Sequence, residues 1–304
     1  MSLRSSAKHV AEFGLRITVA PVIRAALRQR AVIFAYHDVV PDRWTGAGDR
    51  SLHLPISDFR AQLDVLQATH DIVPLRQLLH PASVDRKRPR AAITFDDAYR
   101  GAVSLGLSEL ARRRLPATVF VTPDFLDGGA FWWDELASPT RGLDPEMRTR
   151  ALEELQGDDR AIRAWAADRH APLWAAAPEA RGAAVDDLVE ATKAGKVALG
   201  AHSWSHPNLV RVDNERLTQE LAKPLAWLRE RFPESTVPLL AYPYGRFDAR
   251  VVRASAAAGY EAAFAIEGGW VPAQIEKSFA IPRVNVPAGI SANGFALWAS
   301  GLRF

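Results

Sequence analysis

From residue 31 onward, short apolar runs alternate with stretches of helical periodicity, and this alternation restricts the fold of the chain more than any other feature. The runs 32–36, 91–95, 118–122, 197–201, 239–242, 262–266 and 279–284 are largely apolar on both faces. A strand of that kind needs cover on both sides, which parallel sheets wrapped by helices provide. Between the runs, Ser57 reads as the N-cap of a helix carrying Phe59, Leu63 and Leu66, and 101–114, 213–231 and 248–258 show the same period. Seven such units predict an α/β barrel. The segment of about 127–196 breaks the rhythm with Ala, Trp and charge at helical spacing, and reads as a helical insertion between two barrel strands.

A length of 304 residues is compatible with two domains, but α/β barrels of this size are routinely one. The expected organisation is therefore an N-terminal helix over 1–30 and a barrel over 31–304. With 48% apolar and 24% charged residues the chain is globular rather than disordered. The net charge of +3 is small and the basic residues are spread along the chain, which argues against nucleic acid as a partner. Cysteine is absent, so disulfides, thiolate metal sites and a cysteine nucleophile are excluded together. Any metal must be held by His and carboxylates.

Residues 1–30 carry Arg4, Lys8, Arg16, Arg24, Arg28 and Arg30 against the single acid Glu12, around a short apolar run at 17–23. That run is bracketed by arginines and lacks a small-residue cleavage site after it, and a membrane span needs about 20 apolar residues. The bland reading is a surface helix lying on the main domain. The sharper one is a basic helix resting on an anionic membrane face, giving a cytoplasmic protein with peripheral contact at the inner face of the membrane.

In a parallel α/β barrel the functional groups lie just past the carboxyl ends of the strands. The apolar run 92–95 leads into Asp96 and Asp97, and two like charges at a strand end call for a metal or a proton to compensate them. The run 197–201 leads into His202-Ser203-Trp204-Ser205-His206. The spacing of the two histidines is common by chance; their position at a strand end is the informative part. Two imidazoles and a carboxylate form a facial triad that leaves positions open for water and substrate, so Asp97, His202 and His206 are candidate ligands of a divalent ion. Zn²⁺ suits this donor set first, with Co²⁺, Ni²⁺ or Mn²⁺ as other candidates. Asp96 would then be free to act on the metal-bound water. A third strand ends in Tyr242-Pro243-Tyr244-Gly245, a tight turn at the same rim, and the run 32–36 places His37 at a fourth strand end.

These residues resemble the NodB-type polysaccharide deacetylases, carbohydrate esterase family 4, over about residues 31–290. Thr94-Phe95-Asp96-Asp97 is similar to the first family motif, His202-Ser203-Trp204-Ser205-His206 to the second, and Tyr242-Pro243-Tyr244-Gly245 to a version of the third. Tyr36-His37-Asp38-Val39, with Leu52-His53-Leu54 and Ser57-Asp58-Phe59 after it, looks like the branch with a YHxV-like start, which includes enzymes of exopolysaccharide pathways. The resemblance implies a distorted (β/α)7-type barrel, one divalent metal, and hydrolytic removal of N-acetyl from an amino sugar. It makes Asp96 the general base, Arg283 the residue that orients it, the backbone N–H of Tyr244 an oxyanion donor, and His37, as an imidazolium, the general acid. Tyr242, Trp204 and Trp270, with Trp132 and Trp133, are candidate sugar contacts, although core packing is the commoner use of tryptophan.

The sequence departs from the family pattern at three places. Ala98 stands where a Gly usually follows the Asp pair, Ala241 stands where the third motif usually has its Arg, and no histidine follows His206 to serve as the usual acid. Two other functions remain open at this level. One is a metal amidohydrolase deacetylating a small or lipid-linked amino sugar or another small molecule. The other is a catalytically dead sugar-binding barrel.

Overall fold

The computed structural model describes residues 12–302, except 28–29, 80–86, 194, 273–274 and 276–277. Arg4, Lys8 and Arg28 of the basic N-terminal segment lie outside the described residues. The strands β1 (Ala31–Tyr36), β4 (Asp71–Ile72), β5 (Arg90–Phe95), β6 (Ala117–Val121), β7 (Val197–Ala201), β8 (Thr236–Ala241), β9 (Ala262–Phe264) and β10 (Val284–Asn285) form one parallel sheet. Two further short strands, β2 (Asp38–Val40) and β3 (His53–Pro55), pair with each other beside it. The path runs β10-β1-β5-β6-β7-β8-β9, with β4 attached to the start of β5. The sheet curls until its ends approach each other. Phe264 bridges Ile281, and the chain then enters β10, which pairs with β1. This is the distorted (β/α) barrel expected from the alternation and the resemblance.

Strand periodicity decides what faces inward. Ala31 and Ile33 of β1, Ala92 of β5, Phe120 of β6, and Leu239 and Ala241 of β8 belong to the cluster that fills the barrel. Their neighbours Val32 and Phe34, Ile93 and Phe95, Val119 and Val121, and Leu240 pack outward under the helices. Continued through Ala35 and Thr94, the inward parity of β1 and β5 reaches His37 and Asp96, and in β7, whose Leu199 and Ala201 pack outward, it runs through Gly200 to His202. The polar residues at the mouth are therefore the next members of the same inward rows that build the apolar core below.

Several boundaries differ from the sequence expectation. The helix expected to start at Ser57 spans Ile56–Thr69 with Pro55 before it, and Ser57 donates its N–H to Asp42 Oδ1 at 3.1 Å instead of capping. The stretch 101–114 is a π-helix over Ala102–Leu107 continued by an α-helix over Ser108–Arg113. Only Val284 of the expected strand 279–284 lies in a strand, because Pro282 has no N–H for a ladder. The helices Asn214–Arg231 and Ala249–Ala257 agree with expectation and start at Asp213 and Asp248, whose carboxylates accept backbone N–H groups.

The segment 127–196 contains the helices Trp132–Glu135, Pro145–Glu153, Asp159–Asp168 and Val185–Thr192, the second and third capped by Asp144 and Asp158. Residues 181–183 anchor it. Arg100 N–H donates to Arg181 O at 2.7 Å and Ala183 N–H to Ala98 O at 3.0 Å, while Gly182 N–H donates to Gly129 O at 2.8 Å on the other side. A Cβ on Gly182 would lie 1.8 Å from Phe125 O, so only glycine fits between the two backbones. Gly182→Ala is expected to lower stability by about 2 kcal/mol, as overpacked sites do, measured by urea unfolding; an unchanged midpoint would show that these backbones part at little cost.

Candidate active site at the barrel mouth

Parallel register places the strand ends at one level. Tyr36 pairs with Phe95 and Val121 with Ala201, so His37, Asp96 and His202 emerge side by side. Asp96 N–H donates to Tyr36 O at 2.9 Å and His202 N–H to Val121 O at 2.8 Å, extending the ladders into the motifs. Beyond these points the backbone turns left-handed, with φ of 70° at Asp97, 57° at Ala98, 63° at Ser203, 56° at His206 and 57° at Tyr244. Such conformations cost non-glycine residues of order 1–3 kcal/mol each and collect where a side chain has to be aimed. At Asp97 the turn lets two successive carboxylates face one cavity. Ala98 therefore occupies a backbone position that suits glycine, so the first departure from the family pattern carries strain.

The side chains are buried and converge. Arg283, fully buried, forks onto Asp96 with Nη1–Oδ1 at 2.7 Å and Nη2–Oδ2 at 2.8 Å. Its Nε donates to Ala265 O at 3.0 Å and Nη1 also to Thr94 Oγ1 at 3.3 Å, so the guanidinium is held in place. Burial pushes the Asp96 carboxyl up, but the guanidinium, with His202, overrides it and holds the group well below the usual carboxylate range. Asp96 is thus ionised.

Asp97, His202 and His206 bring one ligand atom each within 4.8 Å of one another. Asp97 Oδ1 lies 3.6 Å from His202 Nε2 and 3.5 Å from His206 Nε2 and has no hydrogen-bond partner. His202 Nδ1 bonds Ala241 O at 2.8 Å, which makes Nδ1 the donor and leaves the Nε2 lone pair toward Asp97. Burial pushes both imidazoles down and so keeps them neutral, whereas burial and the Asp96 and Asp134 charges raise Asp97 well above its ordinary value. An unpartnered buried carboxylate oxygen beside two neutral imidazole nitrogens fits a divalent cation. His37 is half-buried at the same mouth, and burial, only partly opposed by Asp96, lowers it to about 4.

A cavity of about 390 Å³ opens over these groups, lined by His37, Asp96, Asp97, His202, His206, Tyr242 and Tyr244 and walled by Trp132, Trp133 and Arg148. Tyr242 faces it while its hydroxyl donates to Phe279 O at 3.1 Å. Trp204 and Trp270, expected as sugar contacts, do not line it. The Trp204 ring is covered by Lys223, with Nζ 3.4 Å from its centroid, and Trp270 packs on His70 with ring centroids 5.9 Å apart. The tryptophans of the cavity are those of the helix Trp132–Glu135, tied to the rim by Trp132 Nε1–H to Tyr244 Oη at 3.3 Å and Tyr244 Oη–H to Gly157 O at 3.1 Å.

Two supports escaped the sequence reading. Glu220, in the helix Asn214–Arg231, accepts the N–H groups of Trp204 (2.9 Å) and Ser205 (2.8 Å) and the Ser205 hydroxyl (2.6 Å), fixing the loop between the histidines. His53 bridges two fully buried carboxylates, with Nδ1 to Asp38 Oδ2 and Nε2 to Asp134 Oδ1 both at 2.8 Å. Asp134 also accepts Asp49 N–H (2.8 Å) and Tyr99 Oη–H (2.7 Å), and Trp133 Nε1–H reaches Tyr99 Oη at 2.7 Å. This network ties four segments of the rim together. Asp38 and His53 lie in the segments that carry the family resemblance, but the sequence alone assigns neither of them a role.

The polysaccharide deacetylase family model matches residues 83–263, more than half of the chain, and the chain belongs to that family. It is a hydrolase acting on carbon–nitrogen bonds other than peptide bonds. Among solved structures it is similar to Streptococcus pyogenes deacetylase PplD in complex with acetate, at 15% identity and TM-score 0.60, over 87% of this chain and 96% of that one. It is likewise similar to IcaB from Ammonifex degensii, at 17% identity and TM-score 0.60 over 90% and 97% of the two chains. BC0361, a polysaccharide deacetylase from Bacillus cereus, aligns at 15% identity and TM-score 0.62 over 89% and 69%. At such identities the likeness establishes the fold. No curated protein sequence matches the chain.

The His53 network makes stability depend on pH. Burial alone would lower His53, but Asp134 and Asp38 lift it to about 10, above the roughly 6.5 of an unfolded histidine. The stabilisation is therefore complete below about pH 6.5 and is lost as pH rises toward 10, by at most about 1.4 kcal/mol per pH unit. His53→Gln is expected to be less stable at pH 6 and to show a shallower alkaline decline in urea midpoints; a parallel decline in both proteins would assign the loss to other groups.

Proposed function

We propose that the chain removes N-acetyl groups from an amino sugar of a polysaccharide or exopolysaccharide precursor with the help of a divalent cation. The observation that carries this reading is the convergence, on one rim, of an ionised Asp96 clamped by Arg283 and of Asp97, His202 and His206 with open ligand atoms. Asp97, His202 and His206 would hold the cation, Zn²⁺ first among Zn²⁺, Co²⁺, Ni²⁺ and Mn²⁺, which when bound supplies Lewis acidity toward the acetamide carbonyl and acidifies water.

The chain's own groups supply the rest. Asp96 accepts, at a carboxylate oxygen, the proton of the water that attacks the carbonyl carbon, and Arg283 keeps that carboxylate ionised and aimed. The backbone N–H of Tyr244 donates to the oxygen on which negative charge develops. His37 rests as a neutral imidazole; it receives the proton that Asp96 took from the water, which returns Asp96 to its ionised form, and delivers that proton to the departing nitrogen. The C–N bond breaks with its electron pair on that nitrogen, leaving acetate and the amine. Trp132 and Trp133 offer apolar walls to the sugar ring.

A shorter substrate is the second reading, favoured by the wall that Trp132, Trp133, Arg148 and Leu152 raise along one side of the cavity. Acetate release from Zn²⁺-loaded protein, compared on N-acetylglucosamine oligomers from one to five units and on a lipid-linked amino sugar, separates the two. Rising activity with length supports the polymer reading, activity confined to the monosaccharide or lipid-linked sugar replaces it with the second, and inactivity on all of them overturns both.

Asp96→Asn is expected to retain Zn²⁺ binding by calorimetry and lose about 10²- to 10⁴-fold in turnover, whereas His206→Ala loses tight Zn²⁺ binding. Metal loss in the former with retention in the latter would reverse the two roles. His37→Ala is expected to lose acetamide hydrolysis by a similar factor and to lose much less on an activated aryl acetate, whose leaving group needs no proton; equal losses on the two substrates would remove His37 as the acid.

A further inference from the structure

The N-terminal helix is apolar on the side that faces away from the protein. Helical turns over 12–18 continue into Ala20–Ala26, with Val19 N–H donating to Leu15 O at 3.0 Å and Ile23 N–H to Val19 O at 3.2 Å. Leu15, Val19, Ile23 and Leu27, four residues apart, form the half-buried row toward the domain. Two neighbouring rows, Phe13-Ile17-Pro21-Ala25 and Gly14-Thr18-Val22, are exposed and contain no charge. Phe13 is 55% exposed, Ile17 57% and Val22 69%, and with Leu173 and Trp174 they are the exposed large hydrophobic residues among those described. A surface helix ordinarily turns charge outward, so this face is built for a cover.

The charges nearby select that cover. The stretch 13–30 contains Arg16, Arg24, Arg28 and Arg30 and no acid. Glu12, just before it, is buried and accepts the Ser291 hydroxyl at 2.7 Å. A second copy joined through the same face would set arginines against arginines with no carboxylate between them. Lipid headgroups of negative charge satisfy both features at once, taking the apolar rows at the acyl boundary and the exposed Arg16 beside them at a phosphate. Among the described residues no helix is long and apolar enough to cross a membrane, so the contact is peripheral.

We infer that the outward face of residues 13–25 is a docking surface for an anionic lipid bilayer, one that holds the deacetylase barrel against the membrane by this helix.

Flotation of the full chain with vesicles tests this. The wild type is expected to float with equimolar phosphatidylcholine and phosphatidylglycerol at low salt and to be released in molar salt. With phosphatidylcholine alone it is expected to bind at least about tenfold more weakly. Phe13→Ser with Ile17→Ser is expected to weaken binding to the mixed vesicles by about tenfold or more, and Arg16→Ser by about fivefold. Because Phe13 and Ile17 are exposed, the double variant's thermal midpoint should match the wild type, which separates lost docking from lost folding; Arg16 Nη1 also donates to Asn293 Oδ1 at 3.0 Å, so its variant is read by vesicle binding alone. Failure of the wild type to float overturns the inference, as does equal binding to phosphatidylcholine alone or undiminished flotation of the double variant. A concentration-dependent dimer that the double variant abolishes, without vesicle binding, would give the face to a second copy instead.

Discussion

Four buried carboxylates at the mouth of the barrel set the terms for everything around them. Asp38, Asp96, Asp97 and Asp134 are each at most 2% exposed, and burying charge without compensation is costly. Arg283 answers Asp96, and His53, kept protonated between Asp38 and Asp134, answers one charge of that pair. Two negative charges remain beside two neutral imidazoles. A divalent cation at Asp97, His202 and His206 would supply the missing charge; burial and the Asp96 and Asp134 charges raise Asp97 well above its ordinary value, and such a cation would offset them. By the same balance, replacing Arg283 or His53 by an apolar residue of similar size would strand a carboxylate in the protein interior.

The network around His53 also explains how the part of the segment 127–196 around Trp133 and Asp134 is held as a wall of the cavity. Asp134 and Trp133 enter from that segment, Tyr99 from the loop after the Asp pair, and Asp38 from the residue after His37. Polar groups that are each satisfied by partners on different segments fix those segments relative to one another more sharply than apolar contacts do. The walls of the cavity and the reacting groups are consequently positioned by one set of hydrogen bonds.

Much of the fold was legible because the apolar runs are doubly buried strands, and the period-two parity of β1, β5 and β7 carries directly into His37, Asp96 and His202. The two histidines and the Asp pair could be found because they follow apolar strands at once. Where the reading failed, the deciding contact was remote in sequence. Pro282 converts an apolar run into an irregular seam, a local signal that the alternation masked. The Trp204 ring is taken up by Lys223 from a later helix, and Trp270 by His70 from a far earlier loop. Nothing within a few residues of His53 or Glu220 announces the carboxylates or amides that they hold.

Arg283, the residue before β10, joins Asp96, the residue after β5, across 187 residues. A ribosome emits Asp96 long before its partner. Until residue 283 has emerged and Val284 and Asn285 have paired with β1, the carboxylate at the end of β5 lacks the guanidinium that holds it in place. The clamp that aims the base therefore forms only when the C-terminal strand closes onto β1, so completing the barrel and positioning its base coincide.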